Sequence, residues 1–406
     1  MARVRHAAAE RADQRNALLA GFLGWTLDAF DFFILVMVLD AVAKDFGRSR
    51  PEIALTLTAS LAMRPVGALL FGIMADRYGR RLPLMLDIIF YSIIEVLSGL
   101  APNYTTFLIL RLLFGIGMGG EWGVGASLAM ESVPAKWRGV LSGVLQEGYA
   151  LGYLLAAAAY FLVFPHFGWR VMFFIGGLPA LLSLFVRARV KESAAWHEHR
   201  MADWGSYSRA IGRHIPLFAY LVLLMAMMNF ISHGTQDMYP TFLQQQRHFT
   251  PQQAAGITMI SMVGAICGGL TFGLRSDRSG RRRAMVTATL CGLALVPLWV
   301  FAPNTPLIVV GAFAMQFMVQ GAWGVIPAHI NELSPGALRG FLPGFAYQLG
   351  VLFASSITYI EAVLGEHFTY AQAMGVLAGA LFVVGSVVIA LGPEAKGVAF
   401  RRADVA

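Results

Sequence analysis

The chain is 406 residues long, 57% hydrophobic and 13% charged, with a mean hydropathy of +0.63, a balance that excludes an ordinary water-soluble globular domain. Its net charge of +8 does not point to nucleic acid, because the basic residues sit in short loops between apolar runs. Cys267 and Cys291 both lie in apolar runs, so neither a disulfide framework nor a metal site is expected.

Taken in chain order, apolar runs predict spans at 17–43, 52–75, 82–101, 104–132, 139–164, 169–189, 214–245, 251–275, 284–302, 306–332, 340–363 and 369–391. Each is long enough for a hydrocarbon core about 30 Å thick. The fold class that follows is an all-α membrane protein with twelve transmembrane helices in two pseudo-symmetric six-helix bundles. The bundles are 1–190 and 214–406, joined by a cytoplasmic linker at 191–213 whose histidines, His197 and His199, read as solvated. Arg77, Arg80, Arg81, Lys136, Arg138 and the segments 187–213 and 275–283 share one side, against Lys44, Arg48, Arg50, Arg170 and Arg247 on the other. That asymmetry predicts a multi-pass protein of the cell membrane with both termini cytoplasmic. The polar start, 1–15, runs straight into a full span, so no signal peptide is expected.

Ionisable residues inside apolar spans are costly and mark functional paths. In the first span Asp28 and Asp31 are three residues apart and share a helical face, about 20 Å from its inner end. Two such carboxylates in low dielectric cannot both ionise cheaply, which suits a proton carrier. Arg64 and Arg111 are intramembrane cations that either pair with carboxylates or offer a planar fork to a substrate carboxylate; Glu121, ten residues along, is a candidate partner for Arg111. Glu95, Glu147, Gln316, Gln320, His329, Tyr347, Gln348 and Glu361 are further polar positions within spans, Gln320 and Tyr347 among them candidates for a cavity wall. In the seventh span a polar stripe of Asn229, Ser232, His233, Gln236 and Asp237 occupies one helical face, followed by Thr241. His233 and Asp237 are one turn apart, placed to hydrogen-bond and to share a proton, or to hold the helix in shape. Two ligands at this spacing are weak evidence for a metal, and none is expected.

An internal repeat divides the chain. Gly72, Asp76, Arg77, Gly79, Arg80 and Arg81 recur as Gly273, Asp277, Arg278, Gly280, Arg281 and Arg282, a displacement of 201 residues as from Gly72 to Gly273. The same displacement carries Trp122-Gly123-Val124 to Trp323-Gly324-Val325, Glu131 to Glu332, Arg138 to Arg339, Asp28 to Asn229 and Asp31 to Ser232. Two six-helix units of equal length belong to transporters whose binding site lies between the repeats.

These residues resemble the major facilitator superfamily, whose Gly-x-x-x-Asp-Arg-x-Gly-Arg-Arg loop stands here twice, supported by the glycine-rich Arg111-x-x-x-Gly115-x-Gly117-x-Gly119-Gly120 run. The resemblance implies that the loops, with Glu131 and Glu332, form a cytoplasmic latch between the halves, Asp76 and Arg77 locking neighbouring helix ends. The segment from Asn229 to Thr241 is similar to the seventh-helix signature of the sialate:proton symporter family, in its Jen-type monocarboxylate permease branch. Proton-coupled symport of a lactate- or pyruvate-like carboxylate by alternating access is the implied function. Asn229, Ser232, His233, Gln236, Asp237 and Thr241 are the implied site, and the proton is the coupling ion with no other cofactor. Sialic acid or aromatic acids remain alternative substrates, the compact chain arguing against the first, and a proton-antiport exporter is the competing direction. A solute receptor would be expected to carry a sizeable signalling tail or inserted domain, an enzyme fits least since no nucleophile-base arrangement stands outside the spans, and ATP-driven transport is disfavoured by the lack of a phosphate loop. The expected partners are a small anionic substrate, protons and the lipid bilayer, not nucleic acid, and the expected unit is a monomer.

Overall fold

A computed structural model describes residues 2–200, 203–357, 360, 364 and 367–400, and among them the chain is helical without strands. The helices are α1 (Ala2–Asp45), α2 (Arg50–Tyr78), α3 (Arg81–Gly99), α4 (Tyr104–Ser132), α5 (Arg138–Gln146), α6 (Gly148–Ile175), α7 (Ala180–Arg189), α8 (Ala194–His199) and α9 (Trp204–Arg213). After the linker come α10 (Ile215–Gln236), α11 (Tyr239–Gln245), α12 (Pro251–Ser279), α13 (Arg281–Phe301), α14 (Thr305–Trp323), α15 (Ile326–Leu333), α16 (Leu342–Ala354) and α17 (Tyr370–Leu391).

Among the described residues, ten stretches are long and apolar enough to cross a membrane. One of them, Ala135–Val186, has 52 residues, too many for a single passage. It turns at Gly168 (φ 75°, ψ −177°), a backbone region that glycine enters without a Cβ penalty. Just beyond the turn, the Arg170 guanidinium donates to the carbonyls of Gly99 and Ala101 at one end of the bundle. The Arg189 carbonyl accepts from Asn16 at the other end. The chain therefore crosses, reverses and returns, making two spans. The span expected at 340–363 begins as α16; Glu361 lies outside the described residues.

Several expected spans are interrupted rather than continuous, that at 169–189 between α6 and α7. α10 ends at Gln236 and α14 at Trp323. Those are the residues whose carbonyls would have bonded the amides of positions 240 and 327, both proline, and proline has no amide hydrogen. Each proline instead sits in the first turn of the next short helix, α11 or α15, where no such bond is required. Thr241 consequently belongs to α11 and not to the helix carrying the rest of the stripe. The fifth span breaks at Glu147, between α5 and α6.

Close crossings are built from glycine in both halves. A Cβ on Gly115 or Gly119 of α4 would overlap the carbonyl oxygens of Ser60 and Arg64 in α2. A Cβ on Gly264 or Gly268 of α12 would overlap those of Phe313 and Phe317 in α14. Such contacts replace the hydrophobic effect, which does not drive helices together inside lipid. Trp25 and Trp122 of the first half pack into the hydrophobic core of the second.

Candidate functional site

The two loops repeated in the sequence meet at one end of the bundle, called here the basic end. Asp76 accepts from the amides of Gly340 (2.7 Å) and Phe341 (3.2 Å), and Asp277 from those of Gly139 (2.8 Å) and Val140 (3.0 Å). Gly340 and Phe341 stand 201 residues beyond Gly139 and Val140, so each half holds the other by the same bonds. Gly72 backs onto Phe341 and Gly273 onto the Gly139 carbonyl, approaches that a side chain at either glycine would prevent.

Arg80 and Arg281 complete the arrangement from within each half. Arg80 donates to Asp76 (2.7 Å) and to Glu131 (3.0 Å); Arg281 donates to Asp277 (2.7 Å) and to Glu332 (2.8 Å). Burial works against the Arg80 charge, but Glu131 and Asp76 outweigh it and hold its pKa above the ordinary arginine value. Glu131 also accepts from Arg339 of the second half (3.3 Å), and Glu332 from Arg138 of the first (2.9 Å). Within its own half Asp76 pairs with Arg80, while Arg77 turns its guanidinium over the Trp204 ring at 5.4 Å. Gly79 (φ 100°) and Gly280 (φ 98°) turn the chain so that the amides of Arg80 and Arg81 reach Glu192, and those of Arg281 and Arg282 reach Glu394. Arg278 is exposed, and its carbonyl accepts from Lys396.

The linker takes part as well. Trp196 Nε1 donates to the Asp76 carbonyl (2.7 Å) and the Tyr207 hydroxyl to the Asp76 carboxylate (3.0 Å). Burial and then the Asp76 charge push the Tyr207 hydroxyl above its usual pKa. Sequence reasoning missed Glu192, Trp196, Tyr207 and Glu394, whose partners lie more than 100 residues away in the chain.

Above this latch the halves meet around an aromatic group. Tyr347 of α16 lies 4.4 Å from Trp122 and 6.0 Å from Trp323, ring centre to ring centre, and Trp25 is 6.3 Å from both Trp122 and Tyr347. Trp122 and Trp323 are repeat equivalents, so the group sits at the pseudo-two-fold centre. Arg64, 5% exposed, places its guanidinium 6.0 Å from the Tyr347 ring, and its Nε and Nη2 have no hydrogen-bond acceptor among the described residues. Arg111 differs: it donates to Glu95 (2.7 Å) and to the Ser98 hydroxyl, and its guanidinium is ringed by Phe107, Phe114 and Phe173. Its partner is Glu95 across on α3, not Glu121 along its own helix.

Asp28, Asp31 and Glu121 are fully buried, and their carboxylate oxygens have no hydrogen-bond partner among the described residues. Asp87 of α3, which sequence reasoning passed over, is in the same condition. Glu121 lies against Gly24 of α1 and acts electrostatically on Asp28 and Asp87, while Asp31 acts with Glu95. Arg64 acts on both Asp28 and Glu121. The first half therefore encloses a set of carboxylates beside one arginine that faces the second half.

The stripe on α10 divides. Asn229 is buried and donates to the Met225 carbonyl, and Gln236 donates to Gln316 of α14 (2.8 Å), so both serve their own half. Ser232 is half-buried, as is Thr241 on α11. His233 and Asp237 approach to 3.2 Å, with side chains 42% and 37% exposed. Asp237 stands about 12 Å beyond Asn229 along the helix, and the charges acting on the Tyr149 hydroxyl of α6 include Arg64, Asp237 and Asp28. Of the thinner candidates, Gln348 donates to the Gly119 carbonyl (3.4 Å), His329 is fully buried in α15, and Glu147 lies against Gly269.

Residues 21–257 match the family described as the Major Facilitator Superfamily, and 217–395 match the family of sugar and other transporters. A probable 4-methylmuconolactone transporter of Cupriavidus pinatubonensis is 31% identical over 96% of this chain and 92% of its own. The sialic acid transporter NanX of Escherichia coli is 31% identical over 87% of this chain and 88% of its own, and a carboxylic acid transporter protein homolog of Saccharomyces cerevisiae 28% over 93% and 68%. Among solved structures, the proton:xylose symporter XylE superposes with a TM-score of 0.76 at 18% identity, covering 96% of this chain and 98% of that one, which shows a shared fold. These relatives are transporters and not enzymes. A repeated six-helix fold closed by reciprocal loops, with a family match over more than half of its residues, places this chain in the Major Facilitator Superfamily of membrane transporters.

Proposed function

We propose that the chain is a secondary active symporter that carries a small carboxylate with protons by alternating access, a lactate- or pyruvate-like monocarboxylate being the substrate class. The observation that carries this reading is Arg64. It is a buried guanidinium between the halves with two unpaired donor nitrogens, and a planar fork of that kind matches a carboxylate. Leaving buried guanidinium N–H groups without acceptors is costly, and a bound carboxylate would accept from them. Asp28, Asp31 and Glu121 serve as proton carriers on this reading, and the His233 and Asp237 pair lines the path above them. Relatives named for carboxylic acid, sialic acid and methylmuconolactone transport support an organic acid as cargo. The basic end faces the cytoplasm, and the working unit is a monomer with the proton as coupling ion and no other cofactor.

A second reading, an unsaturated or aromatic acid, draws on the ring cluster of Trp25, Trp122, Tyr149 and Tyr347 around Arg64. Both are tested by uptake of labelled lactate, benzoate and sialate into proteoliposomes under an imposed pH gradient, with and without a protonophore. Gradient-driven uptake of lactate in preference to benzoate is expected. Preference for benzoate selects the second reading, and uptake indifferent to the gradient removes proton coupling.

A further inference from the structure

The described segment after α17, 392–400, does not leave the bundle. Glu394 accepts from the amides of Arg281 and Arg282, Lys396 Nζ donates to the Arg278 carbonyl (2.7 Å), and the Gly397 amide donates to Glu332 (3.4 Å). These bonds lay the segment along the basic end of the second half, to which it is attached. The next contacts cross over: Arg138 of the first half donates to the Val398 carbonyl (3.0 Å). Phe400, 1% exposed, then sets its ring 3.7 Å from the Arg138 guanidinium carbon and 3.8 Å from that of Arg339.

Those two arginines are repeat equivalents, 138 and 339, one from each half. They are also the two that reach across the latch, Arg138 to Glu332 and Arg339 to Glu131. A single aromatic ring therefore touches both crossing cations, in a buried setting where attraction between a cation and a ring is strongest. The first half has a parallel device. After Glu192 caps the amides of Arg80 and Arg81, the linker tucks Trp196 against Asp76. Glu394 and Phe400 repeat that order, an acidic cap followed by a buried aromatic, at the end of the second half.

We propose that the segment from Glu394 to Phe400 is a strap that holds the basic end closed, with the Phe400 ring as its fastening between Arg138 and Arg339. When the halves part, the segment and Arg339 stay with the second half while Arg138 withdraws with the first. The contacts of Arg138 with Val398 and Phe400 therefore exist in the closed state alone, and they bias the equilibrium by their full strength. Phe400 touches no part of the central arginine site, so the strap sets how often the basic end opens and not what is carried.

The test uses the full chain with Cys267→Ser and Cys291→Ser, spin-labelled at Lys136→Cys and Ala337→Cys, equivalent positions on the two halves at the basic end. The separation of the labels reports closed and open populations in lipid. Phe400→Ala is expected to raise the open-to-closed ratio about tenfold, Phe400→Leu to do the same because it fills space without a ring, and Phe400→Trp to stay closed. Thermal melting in the same membranes shows that each variant is folded; if Phe400→Ala is not, the Leu and Trp pair decides alone. An unchanged distribution in the Ala or Leu variant overturns the fastening role of the ring. An open distribution in the Trp variant also overturns it.

Discussion

Arg64 and Arg111 are cations of the same half, both buried inside the membrane, but they keep different company. Arg111 has a carboxylate, a hydroxyl and three phenyl rings around it, and among the described residues its Nε alone lacks an acceptor. Arg64 has unpaired nitrogens and the Tyr347 ring of the opposite half. Arg64→Lys keeps the charge and loses the fork, so KM for the carboxylate is expected to rise about tenfold while the protein stays folded. Initial-rate uptake over a range of substrate concentrations checks this, and an unchanged KM would rule out direct carboxylate contact. The two arginines were equally visible in the sequence, whereas their difference was not. Helical spacing offers Glu121 as the neighbour of Arg111, and it takes the packing of α3 on α4 to bring Glu95 there instead.

Helix ends carry much of the mechanism. Gly340 and Gly168 are both glycines at ends or turns, with opposite surroundings. A Cβ on Gly340 would meet Asp76, Arg80 and the Ala75 side chain, whereas one on Gly168 would meet nothing within 4 Å and suffer through its φ of 75° alone. Gly340→Ala should push Asp76 off the amides it accepts from, widening the separation of the Lys136 and Ala337 labels and slowing uptake. Gly168→Ala should cost about 1–3 kcal/mol of stability through backbone strain, with uptake per folded molecule unchanged. Label distances and thermal melting on the two variants together separate these outcomes. The two repeated loops were legible in the sequence because they recur at a fixed displacement, and the succession of apolar spans because hydropathy is local. The broken helices were marked by Pro240 and Pro327, a signal masked by apolar residues on both sides of each proline. Trp196, Tyr207 and Phe400 could not be read, since their roles rest on partners brought near by the whole fold.

Taken as a whole, the molecule divides its chemistry unequally between equal halves. Asp28, Asp31, Arg64, Asp87, Glu95, Arg111 and Glu121 of the first half correspond to Asn229, Ser232, Ala265, Ala288, Val296, Ala312 and Ala322 of the second, none of them charged. The latch is the exception, symmetric in every charge. Within it Glu131 is shared by Arg80 of its own half and Arg339 of the other, and Glu332 by Arg281 and Arg138. Parting the halves leaves each glutamate with its resident arginine, so no carboxylate is stripped bare. What separation breaks is the crossing ion pair of Arg138 and that of Arg339, parting both guanidinium groups from those carboxylates. Mobile anions stabilise freed cations, and salt weakens the attraction that would recapture them, the screening length falling from about 30 Å at 0.01 M to about 3 Å at 1 M. Raising ionic strength over that range should increase the open population at the basic end, measurable with the same label pair; a population indifferent to salt would mean that the crossing arginines find new protein partners on opening. The sharing of each glutamate between a permanent and a visiting arginine thus makes the gate responsive to dissolved electrolyte, independently of any cargo.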